Sequence, residues 1–206
     1  MRFMVIVDHP YGADSWDNTP HHRSFTAALA HAACQGLAQA GHEIDLVDLH
    51  ADGFNPVMSA QELSIWRKGD ASPDPLTASY QQRLLAADHL VFAFPIWWEA
   101  MPAATKGFID KVLAKGVAYK PTKGLNPMVH TTRLTGVTMI TVMATPGLVY
   151  RMRYGSAIKK ILLKGTFAKI GVRNLTWLSQ AGAERKPAQK RQQILDKVQA
   201  HFSRLG

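Results

Sequence analysis

The sequence predicts an α/β fold, a doubly wound five-stranded parallel sheet with helices on both faces. Short apolar runs of strand length alternate with segments of helical periodicity, five strands in all, which is the pattern that builds a parallel sheet through helical crossovers. Repeats, low-complexity tracts and dividing linkers are not found, and 206 residues suit one domain with a full-sized core. Residues 1–206 are therefore expected to form a single domain.

Phe3 to Val7 is the first apolar run and is expected to be a strand. From Ser24, apolar or small residues at Phe25, Ala28, Leu29, Ala32, Ala33, Gly36 and Leu37 follow helical spacing until Gly41 ends the helix. A short strand follows at Ile44 to Val47, then a turn-rich passage from His50 to Val57. After the Gly69–Pro73 loop a helix is expected from Pro75 to Ala86, and the third strand from Leu90 to Phe94. Pro95 ends that strand, and Pro102 stands where a helix begins without losing a hydrogen bond. Residues 96–101 must then form a loop at the sheet edge, followed by a helix from Ala103 to Ala114. A Gly/Pro/Lys-rich loop through Pro127, a strand from Val137 to Val142, a helix from Ser156 to Ile170, a strand from Asn174 to Leu178 and a terminal helix starting near Pro187 complete the chain. In the last helix Ile194, Leu195, Val198, Phe202 and Leu205 mark one apolar stripe.

Composition narrows the function. No apolar run reaches the roughly 18 residues of a membrane helix, and the opening apolar run meets Asp8 too soon for a signal peptide, so the cytoplasm is the expected location. Cys34 is the only cysteine, which excludes an internal disulfide and a thiolate zinc site; it reads as a small buried hydrophobe. Charge is uneven. Residues 1–100 hold 5 Lys+Arg against 12 Asp+Glu and residues 101–206 hold 19 against 3, so the second half is where an anion or an anionic surface would go. No run of five basic residues and no zinc-finger or RNA-binding pattern accompanies this charge, and no nucleic acid partner is expected.

Two segments carry chemistry. In a parallel sheet the first strand-to-helix connection offers helix N–H groups and a positive dipole end to phosphate. Here Asp8-His9-Pro10 leaves the strand, and Arg23-Ser24-Phe25-Thr26 opens the helix about a dozen residues later. Ser24 and Thr26 can donate hydroxyl hydrogen bonds, and Arg23 or His9 can bring a positive charge; Ser24 also reads as a plain N-cap. Neither Gly-x-Gly-x-x-Gly nor a Walker loop occurs, which argues against an NTP or a Rossmann-type dinucleotide there. The second segment is Phe94-Pro95-Ile96-Trp97-Trp98, which delivers two aromatic rings and free N–H groups to the carboxyl end of a strand, where open α/β sheets bind ligands.

These blocks, with Asp48-Leu49-His50, Phe54-Asn55-Pro56-Val57, Met101-Pro102-Ala103, Lys106-Gly107-Phe108-Ile109-Asp110-Lys111-Val112 and Gly116-Val117-Ala118-Tyr119, resemble the flavodoxin-like NAD(P)H:quinone oxidoreductases over roughly residues 3–150. The resemblance implies a tightly held flavin, reduced by hydride from NADH or NADPH, that passes two electrons to a quinone-like acceptor. His9, Arg23, Ser24, Phe25 and Thr26 would hold its phosphate and ribityl region. Pro95, Ile96, Trp97 and Trp98 would line the isoalloxazine, with loop N–H groups facing its pyrimidine oxygens, where fixed donors stabilise the charge of reduction. A single-domain chain with no adenine-binding extension favours FMN slightly, with FAD as the alternative.

After the fourth strand the family usually has a Thr-Thr-Gly-Gly-like turn, whereas this chain reads Ala144-Thr145-Pro146-Gly147, so Pro146 removes one donor at a flavin-binding turn. Tyr150 falls where relatives often have an active-site tyrosine, and the histidine some of them carry further on is missing. Tyr150 and Tyr154 are the candidate catalytic residues, with Arg153 beside them. The resemblance also implies a homodimer. It leaves two alternative classes, an ancillary flavin-binding subunit of a membrane transport system, associated peripherally with the membrane or the transporter, and a flavodoxin-type electron carrier. The 10–22 loop, bearing Tyr11, Trp16, His21 and His22, reads as a solvent loop with a lid as the alternative; the adjacent histidines lack an obvious carboxylate partner, and no metal is expected. Lys106 and Asp110 read as a surface i,i+4 pair.

Overall fold

Five parallel strands, ordered β2-β1-β3-β6-β7, form the central sheet of the computed structural model, which describes residues 1–123 and 128–205. They are β1 (Arg2–Val7), β2 (Glu43–Asp48), β3 (His89–Pro95), β6 (Gly136–Met143) and β7 (Asn174–Ala181). β1 and β3 are buried along almost their whole length, which is why they read as unbroken apolar runs. β7 extends three residues beyond its expected end because Ser179, Gln180 and Ala181 stay in register with Thr141, Val142 and Met143 of β6.

Helices cover both faces. α1 (Phe25–Gln39) and α6 (Ala188–Phe202) pack on one side with Phe3, Leu29, Leu37 and Phe202 in their core. The approach of these two helices depends on Gly36, where a Cβ would lie 2.2 Å from the carbonyl oxygen of Gln199. On the other face α3 (Pro75–Ala86) and α4 (Ala103–Val112) share a core of Tyr80, Phe92, Phe108 and Phe167. α3 has the expected bounds, with the Asp74 carboxylate accepting from Thr77 N–H as its cap.

The structure departs from expectation in three places. The helix expected over Ser156–Ile170 is present as a π-helix over Lys159–Ala168, and it is preceded by an unexpected helix, α5 (Gly147–Arg153), set apart from it where Gly155 and Ser156 both take positive φ. α2 (Ala60–Lys68) was not expected; it buries no residue and starts on a Ser59/Glu62 capping box. The Gly/Pro/Lys-rich loop holds a strand, β4 (Tyr119–Pro121), that pairs antiparallel with β5 (Met128–His130) just beyond it, while residues 124–127 of that loop lie outside the described residues.

His89, at the start of β3, is 3% exposed and shares a hydrogen bond with Thr138 Oγ1 at 2.9 Å. Gly136 makes room for the ring, since a Cβ there would lie 2.7 Å from it. Burial, with a smaller push from His201, lowers the imidazole from 6.5 to about 4. A histidine whose folded value is depressed keeps its full stability contribution above the unfolded value and loses it as pH falls through the folded one. Acidification from 6.5 to 4 is thus expected to cost about 3 kcal/mol at this residue. Urea denaturation over that interval checks this: the wild type should lose more stability than His89→Gln, and parallel curves would rule it out.

Candidate functional site

β1 and β3 lie side by side, and the chain leaves them toward opposite edges of the sheet, so a crevice opens outside their carboxyl ends. A cavity of about 520 Å³ lies there, bounded by the β1–α1 connection, the end of β3 with Trp97, and the start of α6.

At one end stands the N-terminus of α1. Ser24 is the N-cap, its Oγ accepting from Ala27 N–H at 3.2 Å, so the plain capping role is realised and only its hydroxyl proton is free for a ligand. The N–H groups of Phe25 and Thr26 have no partner among the described residues and, with the Thr26 hydroxyl, form a donor cluster at the positive end of the helix. Arg23 lines the same wall and donates to Asn18 Oδ1 at 3.1 Å. His9 differs from expectation. Burial lowers its pKa, helped by His50 and opposed by Asp8, so the ring is neutral at pH 7 and supplies no positive charge. Its Nδ1 accepts from Tyr11 N–H, which leaves Nε2–H as a donor.

The 10–22 loop is anchored and is not merely a solvent loop. Ser15 is fully buried, Ser24 N–H donates to its carbonyl at 2.7 Å, and Ala13 N–H donates to the Asp48 carboxylate. Trp16 stacks on His31 with ring centroids 3.9 Å apart, and both Trp16 and Asn18 line the cavity. His22 does have a carboxylate neighbour, Asp14, at 3.4 Å on the exposed surface. Among the described residues no group of three or more His, Cys, Asp or Glu could hold a metal.

At the other end, Trp97 and Ala100 exchange both backbone hydrogen bonds at 3.0 Å, closing a two-residue hairpin turn over Trp98 and Glu99. Both central residues have positive φ, +49° and +62°, the geometry that normally selects Asn-Gly. For non-glycine residues this costs of order 1–3 kcal/mol each and persists only where neighbours hold it. The turn corrects the expected donor set: the N–H groups of Ile96 and Trp97 are spent on Val142 and Ala100, which leaves those of Trp98 and Glu99 without partners among the described residues. The Trp98 side chain stands almost wholly in solvent at 98% exposure, and Trp97 at 45% lines the cavity with Pro95.

Behind these elements lies Asp8, 1% exposed. Its Oδ2 accepts from Thr105 N–H at 2.7 Å and from Thr105 Oγ1 at 2.6 Å, and its Oδ1 meets His50 Nε2 at 3.0 Å. α4 begins on Pro102, which has no side-chain cap, so the carboxylate of Asp8, the residue that follows β1, performs that task.

His9, Arg23, Ser24, Phe25, Thr26, Pro95 and Trp97 thus share one cavity wall. Ile96 is buried beside it, and Trp98 points away into solvent. Thr145, Pro146 and Gly147 form the β6–α5 connection without lining the cavity; Thr145 donates its hydroxyl to Glu99, and Pro146 is the N-cap of α5. Tyr150 is 1% exposed, its hydroxyl donating to the Glu99 carbonyl and accepting from Ile158 N–H, both at 3.0 Å. Burial raises its pKa. The structure therefore gives Tyr150 a packing position in place of the expected contact with a reacting group. Tyr154 stacks at a tilt against it and is 42% exposed. Residues missed in the sequence are Trp16, Asn18, Glu184, Arg191 and Gln192. Trp16 stood in a segment already marked by its aromatics, but nothing local signals the α6 residues. Cys34 has a thiol pushed up to about 11 by burial, as suits an inert side chain.

Comparison with known proteins gives a flavodoxin-like fold family matching residues 1–202. An uncharacterized NAD(P)H oxidoreductase, YcaK, of Escherichia coli is 37% identical over 100 residues, 48% of this chain and 51% of that protein. An FMN-dependent NADH:quinone oxidoreductase of Ruegeria pomeroyi is 25% identical over 187 residues, 86% of this chain and 87% of that one. The chain spans about half the length of the Escherichia coli relative. Among solved structures, an NAD(P)H:quinone oxidoreductase from Methanothermobacter marburgensis covers 100% of this chain and 99% of its own, with a TM-score of 0.82 at 23% identity, a likeness of fold. Among the described residues no helix is long and apolar enough to cross a membrane.

Proposed function

The chain belongs to the flavodoxin-like fold family, and from that premise we propose that it is a flavin-dependent NAD(P)H:quinone oxidoreductase. The observation that carries the proposal is the single cavity joining the donor cluster of α1 to Trp97 and Pro95 at the end of β3. The donor set fits the group: Phe25 N–H, Thr26 N–H, the Ser24 and Thr26 hydroxyls and Arg23 would hold its phosphate, with His9 Nε2–H as a neutral donor nearby. Pro95 and Trp97 would flank the ring, with the free N–H groups of Trp98 and Glu99 in reach of its pyrimidine edge. When bound, the flavin supplies the centre that accepts hydride from NAD(P)H and delivers it to a quinone, which with one proton becomes the quinol. The protein's part is binding, orientation and exclusion of water.

FMN remains the favoured form, in keeping with the FMN-dependent relative. FAD is a second reading supported by one observation, that the cavity continues past the phosphate end to Glu184, Arg191 and Gln192, a wall with room for further polar contacts. A homodimer goes with this reading, since Trp98, Leu148 and Met152 present large apolar side chains at 98%, 60% and 76% exposure. A cytoplasmic setting goes with dependence on NAD(P)H.

The test is to reconstitute the purified protein with FMN and with FAD, remove free flavin, and record the visible spectrum before and after anaerobic NADPH. Retention of FMN and bleaching of its band on reduction are expected. A protein that retains neither flavin would refute the reading and leave a regulatory role without bound flavin in its place. Sedimentation of the same sample reports the dimer.

A further inference from the structure

We propose that Glu99 is a positioning residue for the flavin ring: it clamps the Trp98–Glu99 turn to the β6–α5 connection and so fixes Trp97 and the free N–H groups at the cavity mouth. The inference rests on the flavin reading above. Three contacts make the clamp. Thr145 Oγ1 donates to Glu99 Oε1 at 2.8 Å, the Tyr150 hydroxyl donates to the Glu99 carbonyl at 3.0 Å, and the Tyr150 hydroxyl is itself fixed by Ile158 N–H. A side chain and a carbonyl from one residue thus tie the loop after β3 to the segment after β6, the strand beside it.

Two features separate this from ordinary packing. Glu99 and Trp98 both hold a positive φ that glycine or asparagine would adopt at lower cost, so the residue present is not the one the turn prefers. Glu99 Oε2 is also buried with no hydrogen-bond partner among the described residues, a second cost at the same residue. A position that bears both while gripping Thr145 and Tyr150 is set for rigidity at the site and against stability. An Asn-Gly turn of the same length would make the same hairpin and keep the main-chain carbonyl for Tyr150, but it would lose the carboxylate that Thr145 grips. Glu99 therefore acts through the turn, and its carboxylate need not touch the ring.

The experiment has two arms. In the apoprotein, hydrogen exchange at the Trp97 and Ala100 amides reports closure of the turn. Thr145→Val and Glu99→Ala are expected to speed that exchange at least tenfold, whereas Thr145→Ser and Glu99→Gln, which each keep the donor or acceptor, stay within about threefold of wild type. In the second arm the variants are titrated with FMN and melted. Glu99→Gly should bind FMN about tenfold more weakly while its apoprotein melts no lower than wild type, because glycine relieves the backbone while releasing the Thr145 arm of the clamp and leaving the carbonyl bond of Tyr150 in place. Unchanged exchange in Thr145→Val would overturn the clamp, as would a Glu99→Gly protein that loses stability and FMN affinity together. If the wild type itself takes up no FMN, the flavin reading fails, and the exchange arm alone decides whether Glu99 holds the turn.

Discussion

Lys111→Ala is expected to lower the unfolding free energy by about 3–5 kcal/mol, the range found when one partner of a buried ion pair is removed. The Lys111 side chain is 3% exposed. Its Nζ lies 2.8 Å from Glu62 Oε1 and 3.6 Å from Asp74 Oδ2, and it donates to the Asn55 carbonyl at 2.8 Å. One ammonium thereby ties α4 to α2, to the cap of α3 and to the segment before α2. α2 buries no residue of its own, so it depends on this tie and should become the first site of proteolysis in the variant. Adding Glu62→Gln to Lys111→Met should recover part of the loss, because the carboxylate stranded by the first change is then removed. Burial alone pushes Glu62 and Asp74 up, but contacts with Lys111 and with Ser59 or Thr77 outweigh it and leave both below their ordinary values of 4.5 and 3.8. A carboxylate with a depressed folded value stabilises above its unfolded value and loses that contribution as pH falls through the folded one. Wild type should therefore lose stability below about pH 4, more steeply than Lys111→Ala, in urea midpoints measured from pH 7 downward. Equal acid slopes would mean that Lys111 carries no charge-dependent stability.

β1 and β3 were legible because burial on both faces writes them as continuous apolar runs closed by Asp8 or Pro95. α1 and α6 were legible through their stripes. α2 was not, because a helix that buries nothing needs no stripe, and its only local signal was Ser59 followed three residues later by Glu62. β4 and β5 are three residues each, too short for periodicity to register. α5 was not legible because it is seven residues long and buries only Tyr150, too little for a helical stripe to register.

The site divides in the same way. Ser24 to Thr26 form a local motif, and Pro95 with Trp97 another, so each was visible within a few residues of sequence. Trp16, Arg191 and Gln192 reach the same cavity only through tertiary structure, the first by a loop pinned at Ser15 and the others because Gly36 lets α6 lie against α1. Tyr150 illustrates the converse. Its position relative to a family pattern was readable, but whether its hydroxyl faces a ligand or two backbone groups is decided by Glu99 and Ile158, which sequence spacing does not reveal.

Asp8→Ala is expected to cost about 2–4 kcal/mol and to weaken FMN uptake about tenfold, although Asp8 does not line the cavity. The stability loss follows from what is stranded. Thr105 N–H and its hydroxyl are buried donors with no other partner among the described residues, and α4 has no side-chain cap at Pro102, so its first turn loses the carboxylate that anchors it. The effect on the site follows from connectivity: Pro102 is two residues beyond Ala100, where the hairpin turn carrying Trp97 to Glu99 closes, so a frayed α4 start lets that turn drift. His50 loses its carboxylate as well and is freed at the end of β2. Asp8→Asn separates the two effects, because its amide oxygen can still accept from Thr105 while the charge facing His50 is gone. It should keep most of the FMN affinity and lose less than half as much stability as Asp8→Ala. Urea denaturation with an FMN titration on both variants checks this. If Asp8→Ala unfolds with the wild type or binds FMN equally well, α4 does not rely on the carboxylate and the hairpin turn is positioned by Glu99 alone.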